Sequence, residues 1–375
     1  MIKILFIPEF GNFGGTRTYF ETFVTFCYQH KINLLVLLEK RQADKQAISF
    51  LKEKNCAVKY IFHRSNKLRN LWQRFPFNFI FDFFTILPLY LKERPNLVVV
   101  SNGTPFLYLG VAMFAKRFIY ITHTYPVAKM SLPYRLVVKL FMDGKRKIIL
   151  AVSEFAKKNI VKYCAKEKIA SIIKVIYNTP VNNQSKLSAT ENNGDLKTIL
   201  TIGHVEWYKN PDDWLKIAEK TIALLPNEKI EFIWAGSGAL YDKYTKLINE
   251  RHLSKIKFVG YQRDVLKFYK KCYIYFQPSK MESFGLSVAQ AQMLGIPCVV
   301  SNMGALPELI KDEQNGLIIE LENCDNAAKR IASLILDKAR YDKFSLNSKK
   351  YFEENFSYKI WDNKMQFLIN NICKL

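Results

Sequence analysis

The chain has 375 residues, 49% of them apolar, and a formal net charge of +23. This length and apolar content are sufficient for sizeable buried cores, which excludes an intrinsically disordered chain. They also favour two domains over a single domain. Residues 1–180 carry 29 Lys and Arg against 10 Asp and Glu, a balance of +19, whereas residues 181–375 carry 27 against 23, or +4. The first half is therefore expected to bind, or at least to tolerate, an acidic partner. The usual partners are nucleic acid or an anionic membrane, and the alternative is a solvated, Lys-rich surface.

The apolar runs of the first half predict buried strands. In chain order they are "IKILFI", "INLLVLL", "LVVVS", "FIYITH", "KIILAVS" and "KVIYN". Continuous apolar runs with helical segments between them are typical of a parallel sheet covered on both faces. The first run is too short for a signal peptide, and the uncharged stretch between Arg94 and Lys116 contains "SNGTP", which predicts strand, loop and helix rather than a membrane span.

A second series of predicted strands follows a polar stretch rich in Asn, Ser and Thr. The series is "TILTIG", "IEFIWAG", "KIKFVG", "CYIYFQPS", "PCVVSN" and "GLIIE". We therefore predict an α/β protein of two Rossmann-like, doubly wound parallel-sheet domains, 1–180 and 197–356, joined by a linker at 181–196.

The seven cysteines stand singly, without a C-x-x-C motif or a Cys/His cluster at metal-ligand spacing. This pattern is typical of reduced core residues in a cytoplasmic protein. No metal site is predicted.

Parallel sheets bind ligands at the carboxyl ends of their strands, so the loops there are the candidate sites. After the first strand, Gly14 and Gly15 precede a predicted helix, a turn that either admits a phosphate or simply caps the helix. His123 follows the strand "FIYIT", and a lone histidine there is more often structural than catalytic. Lys209 follows Gly203 by six residues and suits a diphosphate, although most loop lysines are only solvated.

The stretch "SKMESFGLSVAQAQMLGIP" holds the fourth candidate. Glu282 lies in a loop, Gly285 permits a close approach, and the helix that follows ends at Gly295. The N–H groups of Gly285 and Leu286 at the start of this helix predict an anion site. Gln290 lies on the same helix, inside an apolar run, where it can reach a hydroxyl-bearing group.

Eight motifs in order resemble the family 4 retaining glycosyltransferases of the GT-B fold. They are "FGGTRTYF", "THTYP", "AVSEFAKKNI", "VIYNTPV", "TIGHVEWYKN", "WAGSGALYDKY", "FVGYQRDVLKFY" and the segment from "PSKMESFGLSVAQAQMLGIP" to "NGLIIE". The resemblance implies two Rossmann-like domains facing across a cleft. It also implies a nucleoside-diphosphate sugar, of the UDP or GDP type, bound mainly by the second domain. A terminal helix, about 357–375, is implied to pack back on the first domain.

The resemblance also implies roles for individual residues. His123 would lie near the transferred sugar, Lys209 would neutralise the leaving diphosphate, and Glu282 would hold sugar hydroxyls as the first glutamate of an E-x7-E pattern. The resemblance further implies that four residues contact the donor phosphates: Gly14, Gly15, Gly285 and Leu286. Gly260 and Tyr261 would border the nucleotide base.

Two positions depart from the family pattern. His204 stands where an arginine is usual, so leaving-group stabilisation should depend more on Lys209. Gln290 stands at the second glutamate, where a neutral amide should weaken the ribose contact by about 1 kcal/mol.

The implied function is a metal-independent, retaining hexosyltransferase that uses no cofactor. Because residues 61–94 and the strip "PYRLVVKLFMDGKRK" mix basic with aromatic and apolar residues, we expect a saccharide or lipid-linked acceptor in bacterial cell-envelope polysaccharide or lipopolysaccharide synthesis. The enzyme would be peripheral on the inner face of the cytoplasmic membrane, unless those aromatic residues face inward. The alternatives are an inactive sugar-nucleotide-binding relative, a GT-B epimerase or phosphorylase, and a nucleic-acid binder, for which no reading motif is present.

Overall fold

The structure is a computed structural model that describes residues 2–11, 14–40, 43–61, 77–103, 107–127, 132–164, 167–180 and 195–374. The chain divides into two compact units, residues 1–181 with 358–375, and residues 182–357. The predicted linker at 181–196 lies outside the described residues except for its last two.

The first unit is built on a seven-stranded parallel sheet in the order β3-β2-β1-β4-β5-β6-β7. Its strands are β1 Lys3–Pro8, β2 Asn33–Glu39, β3 Ala57–Ile61, β4 Leu97–Asn102, β5 Phe118–Thr122, β6 Lys147–Ala151 and β7 Ile173–Val175. The order reverses direction between β1 and β4, which places a topological switch point at the carboxyl ends of these two strands.

Helices cover both faces of this sheet. They are α1 Gly15–Gln29, α2 Lys45–Glu53, α3 Phe77–Glu93, α4 Leu132–Phe141, α5 Glu154–Cys164 and the C-terminal helix, which is named last below. Side chains alternate along β1, so Leu5 and Ile7 pack into one apolar core and Ile4 and Phe6 into the other. The continuous apolar run of this strand is explained by that burial on both sides.

The second unit is built on a six-stranded parallel sheet in the order β10-β9-β8-β11-β12-β13. Its strands are β8 Lys197–Ile202, β9 Ile230–Ala235, β10 Ile256–Phe258, β11 Cys272–Gln277, β12 Cys298–Ser301 and β13 Gly316–Ile319. Its helices are α6 Pro211–Leu224, α7 Tyr241–Glu250, α8 Leu266–Lys270, α9 Leu286–Met293, α10 Leu306–Leu309, α11 Cys324–Leu336 and α12 Lys338–Asn355. The last helix of the chain, α13 Tyr358–Lys374, packs into the first unit through Trp361, Met365, Ile369 and Ile372.

The predicted class, two doubly wound parallel-sheet α/β units, is confirmed, and two local predictions are corrected. Strand β3 was missed, because it lies at the sheet edge and only Ile61 of its five residues is buried, so it carries no apolar run. The helix predicted before Lys116 is a short 3-10 helix, Leu109–Met113, preceded by Tyr108 in a left-handed conformation. No helix in the described part of the chain is both long and apolar enough to span a bilayer.

Candidate functional site

A cluster of polar side chains lies where β8 and β11 end in the second unit. The Lys209 Nζ is 2.5 Å from Glu282 Oε2, and both side chains are mostly buried. The amide nitrogen of Gln277, the last residue of β11, donates to the same oxygen at 2.7 Å. The carboxylate is therefore held by one charged and one neutral donor, a geometry that fixes its position and orientation.

The side chain of Gln277 is in turn hydrogen-bonded to Tyr275, which lies two residues earlier on the same strand. The Tyr275 hydroxyl is 3.0 Å from Gln277 Oε1 and accepts the backbone N–H of Ile202 at 3.3 Å. Because Ile202 ends β8, this chain of hydrogen bonds ties Glu282 to the central pair of strands. Gln277 is 2% exposed and was not selected from the sequence, although its position just before "PS" at a predicted strand end was the available signal.

The loop that carries Glu282 is also held by its own backbone. The N–H of Ala305 donates to the Glu282 carbonyl at 3.0 Å. Gly304, with φ of +63°, lies so close that a Cβ there would stand 2.8 Å from the Glu282 nitrogen and overlap its carbonyl oxygen. A glycine is therefore required for this approach.

Helix α9 begins directly after this loop. Gly285 caps it with φ of 104°, and Leu286 is its first residue, so the free backbone N–H groups of its first turn lie next to Glu282 in the chain. The helix ends at Met293, before Gly295, as the sequence predicts.

Gln290 is not buried, although it lies inside an apolar run. It lies one turn after Leu286 and is partly exposed, whereas the fully buried amide of this helix is Gln292, which donates to the Leu309 carbonyl at 2.9 Å. The apolar run therefore contains one structural and one accessible amide.

His204 follows Gly203, just after the end of β8. Its pKa is lowered, first by burial and then by the charge of Lys209. The imidazole is therefore neutral near pH 7, unlike the arginine that the family pattern has here.

Three predicted residues belong to the first unit and are not part of this cluster. Gly14 caps α1 with φ of 98°, and Gly15 is the first residue of that helix. His123 follows β5, where its Nε2 lies 2.8 Å from Ser101 Oγ and its ring packs edge-on against Tyr19 of α1. Burial lowers the pKa of His123 to about 3. Gly15 is the first residue of α1, and Tyr19 of the same helix packs against His123. The glycine turn and His123 are therefore connected by the first turns of α1.

Residues 183–351, nearly all of the second unit, match the family model described as glycosyl transferases group 1. The second unit therefore resembles this family over most of its length. Its match contains Lys209, Gln277, Glu282 and the start of α9.

Three relatives are similar to the chain over different lengths, and one of these matches includes both units. The chain is 25% identical to an uncharacterized glycosyltransferase of Haemophilus influenzae, over 92% of this chain and 95% of that protein. It is 30% identical to an uncharacterized glycosyltransferase of Methanocaldococcus jannaschii, although the match spans 55% of this chain and only 56% of that protein. A third relative, an Escherichia coli UDP-Gal:alpha-D-GlcNAc-diphosphoundecaprenol alpha-1,3-galactosyltransferase, is 26% identical over 47% of this chain and 49% of its own length.

Two solved structures show the same fold. A glycosyltransferase from Rickettsia africae matches with a TM-score of 0.79 and 18% identity, over 100% of this chain and 99% of its own. Anabaena HepE in complex with UDP and glucose matches with a TM-score of 0.72 and 18% identity, over 99% of this chain and 100% of its own. Both support the GT-B fold.

Proposed function

We propose that the chain is a retaining glycosyltransferase that moves a sugar from a nucleoside-diphosphate donor to a saccharide or lipid-linked saccharide. The observation that carries this proposal is the Lys209–Glu282 pair, fixed by Gln277 beside the N-terminus of α9. A carboxylate suits sugar hydroxyls, and an ammonium group with free helix N–H groups suits a diphosphate. The binding of UDP and glucose by HepE, which shares this fold, supports a donor of this class.

The transfer breaks the bond between the anomeric carbon and the diphosphate oxygen, and the acceptor hydroxyl oxygen forms the new bond to that carbon. The hydroxyl proton passes to the departing diphosphate. Negative charge grows on that leaving group, where Lys209 and the N–H groups of Gly285 and Leu286 stabilise it without a metal ion. Glu282 holds the sugar so that the acceptor attacks from the leaving-group side.

The remaining contacts in this proposal come from residues of the first unit, Gly14, Gly15 and His123, and from further residues of the second unit. Gly14 and Gly15 approach the donor diphosphate, and His123 meets the transferred sugar as a neutral imidazole, since its pKa is far below neutral. His204 adds a hydrogen bond to the diphosphate rather than a charge. Gly260 and Tyr261, which is half exposed, border the base.

The acceptor is proposed to be presented at an anionic membrane. The Escherichia coli relative acts, by its name, on a diphosphoundecaprenol-linked saccharide. An acceptor of this kind would place the enzyme on the inner face of the cytoplasmic membrane, as a peripheral protein in cell-envelope polysaccharide or lipopolysaccharide synthesis.

A panel of UDP- and GDP-sugars tests the proposal. A matching donor should raise the melting temperature and, over time, release its nucleoside diphosphate. Stabilisation without release or transfer would instead identify a sugar-nucleotide-binding protein, and an altered sugar without transfer would identify an epimerase. If no member of the panel shifts the melting temperature, the proposed donor class is wrong.

Replacing Gln277 with Leu should lower kcat about tenfold while KM for the donor changes less. The leucine removes the neutral donor to Glu282 Oε2 and one of the hydrogen-bond partners of the Tyr275 hydroxyl, so the carboxylate loses its orientation. Steady-state kinetics with the best donor of the panel measure the effect. The matched control is Gln292→Leu, another buried amide of this unit that does not contact Glu282. An equal loss of kcat in both variants would show that Gln277 acts only through stability.

Replacing Gln290 with Glu should tighten donor binding about fivefold. A carboxylate accepts two hydrogen bonds from the ribose hydroxyls, whereas the amide accepts and donates. Calorimetric titration with the nucleoside diphosphate measures the change. Gln314→Glu, at an exposed amide of the same unit, adds the same charge elsewhere and should leave affinity unchanged. Unchanged affinity in Gln290→Glu would contradict the placement of the ribose beside this helix.

A further inference from the structure

Helix α3 of the first unit is apolar on both its inner and its outer side. Phe79 and Ile86 point into the core, while Phe84 is 72% and Leu91 is 61% exposed. From Phe83 to Leu91 the helix has no charged residue, and the charge before that stretch, Asp82, is fully buried. A surface helix of a globular protein normally has a polar outer side. The apolar outer side of α3 therefore indicates that it contacts an apolar surface of a binding partner.

Helix α4 repeats the pattern beside it. Val137 and Val138 are buried in the same core as the inner side of α3, whereas Leu132, Leu136 and Leu140 are exposed at successive turns. Both helices contact the 3-10 helix that ends at Met113, which is itself 44% exposed. The two helices therefore lie on the same side of the sheet, and we define their exposed apolar side chains, with that of the 3-10 helix, as the apolar face: Phe83, Phe84, Leu91, Met113, Leu136 and Leu140.

The charges around this apolar face are almost all positive. Between residues 77 and 146, the described positions carry eight Lys and Arg against three Asp and Glu. Six of the basic residues are exposed, and they lie on α4 or near the ends of the elements that form the face: Lys92, Arg94, Lys116, Lys139, Lys145 and Arg146.

The three acidic groups are buried or already have other hydrogen-bond partners. Asp82 is buried, Glu93 pairs with Lys3 at 2.8 Å, and one oxygen of Asp143 accepts the backbone N–H groups of residues 145, 146 and 147. Exposed cations therefore predominate over exposed acidic groups among these residues.

We propose that this apolar face is the surface by which the protein docks on an anionic lipid bilayer. The exposed Phe and Leu side chains enter the boundary between headgroups and acyl chains, and the surrounding Lys and Arg side chains bind the headgroup phosphates. A second copy of the chain fits less well, because two such faces would bring their exposed cations together. The inference rests on the proposed function for its biological purpose, since a lipid-linked acceptor would then be held at the same surface.

Sedimentation with vesicles tests the docking without donor or acceptor, so its outcome does not depend on catalysis. The full chain should bind vesicles of an equimolar phosphatidylcholine and phosphatidylglycerol mixture, and bind much less to phosphatidylcholine alone or in high salt. Equal binding to both vesicle types, or none to either, would overturn the proposal.

Two double variants locate the surface. Phe84→Ser with Leu140→Ser should weaken binding to the anionic vesicles about tenfold. The control, Phe367→Ser with Leu346→Ser, removes a Phe and a Leu that are equally exposed, at 70% each, on α13 and α12, and should bind as the parent chain does. Equal losses in the two double variants would contradict the assignment. A dimer in the parent chain that Phe84→Ser with Leu140→Ser dissociates would show that a second copy covers the face instead.

The same variants separate docking from catalysis. Donor breakdown in solution should be the same in the parent chain and in Phe84→Ser with Leu140→Ser, because the face lies outside the proposed donor site. Vesicle binding by a chain that processes no donor would leave the docking proposal standing and the proposed function refuted.

Discussion

Replacing Lys209 with Met is expected to lower kcat by about 10²- to 10³-fold while the chain remains folded. Among the described residues, the ammonium group of Lys209 is the full positive charge that pairs with Glu282, and methionine keeps much of its length without the charge. His204 does not compensate, because burial, the largest cause of its lowered pKa, persists in the variant and keeps the imidazole neutral. Donor turnover at saturating donor and acceptor measures the effect.

The control for this variant is Lys216→Met, which removes an exposed lysine of α6. It changes the net charge equally and should leave kcat unchanged. A second variant, Lys209→Met with Glu282→Gln, separates loss of the cation from the presence of an unpaired carboxylate. If Lys209→Met retains kcat within about threefold of the parent, leaving-group stabilisation by this residue is refuted.

Replacing Gly304 with Ala is expected to lower kcat/KM by about 10²-fold and the melting temperature by about 5 °C. The added methyl group would overlap the Glu282 carbonyl and approach the Glu282 nitrogen, so the loop that carries the carboxylate must move. The backbone at φ of +63° adds strain for any residue with a Cβ. Kinetics and thermal unfolding measure the two effects.

Gly295→Ala supplies the matched control. Its φ of +71° imposes similar strain, but the nearest atoms to its added Cβ, on Ser345, lie at 3.4 Å and beyond. It should therefore lose stability while retaining kcat/KM. If Gly304→Ala loses no more activity than Gly295→Ala, contact with the Glu282 backbone does not position this site.

The sequence predicted the fold class because most strands are buried on both faces and so appear as apolar runs. β1 and β4 are examples, and the predicted boundaries differ from the observed ones by at most one residue. β3 lacked this signal, because at the sheet edge it has neither a second neighbour nor burial on both faces.

The site was harder to predict than the fold. Lys209 and Glu282 are 73 positions apart, and only the adjacency of β8 and β11 brings them together. Gln277 belongs to an apolar run, and its function as a donor to Glu282 depends on a contact that local sequence does not show. The sequence also did not distinguish the accessible Gln290 from the buried Gln292. Apolar residues flank this pair of amides on both sides, so the pattern does not show which face of the helix is directed to the core.

The Lys209–Glu282 pair also bears on which anions can occupy the site. A free phosphate or chloride ion must displace a carboxylate that is tethered next to the ammonium group at a high effective concentration. A nucleoside-diphosphate sugar brings hydroxyl groups that can occupy the released carboxylate at the same moment. If the pair binds the donor as proposed, it would disfavour abundant inorganic anions relative to a ligand that satisfies both of its members.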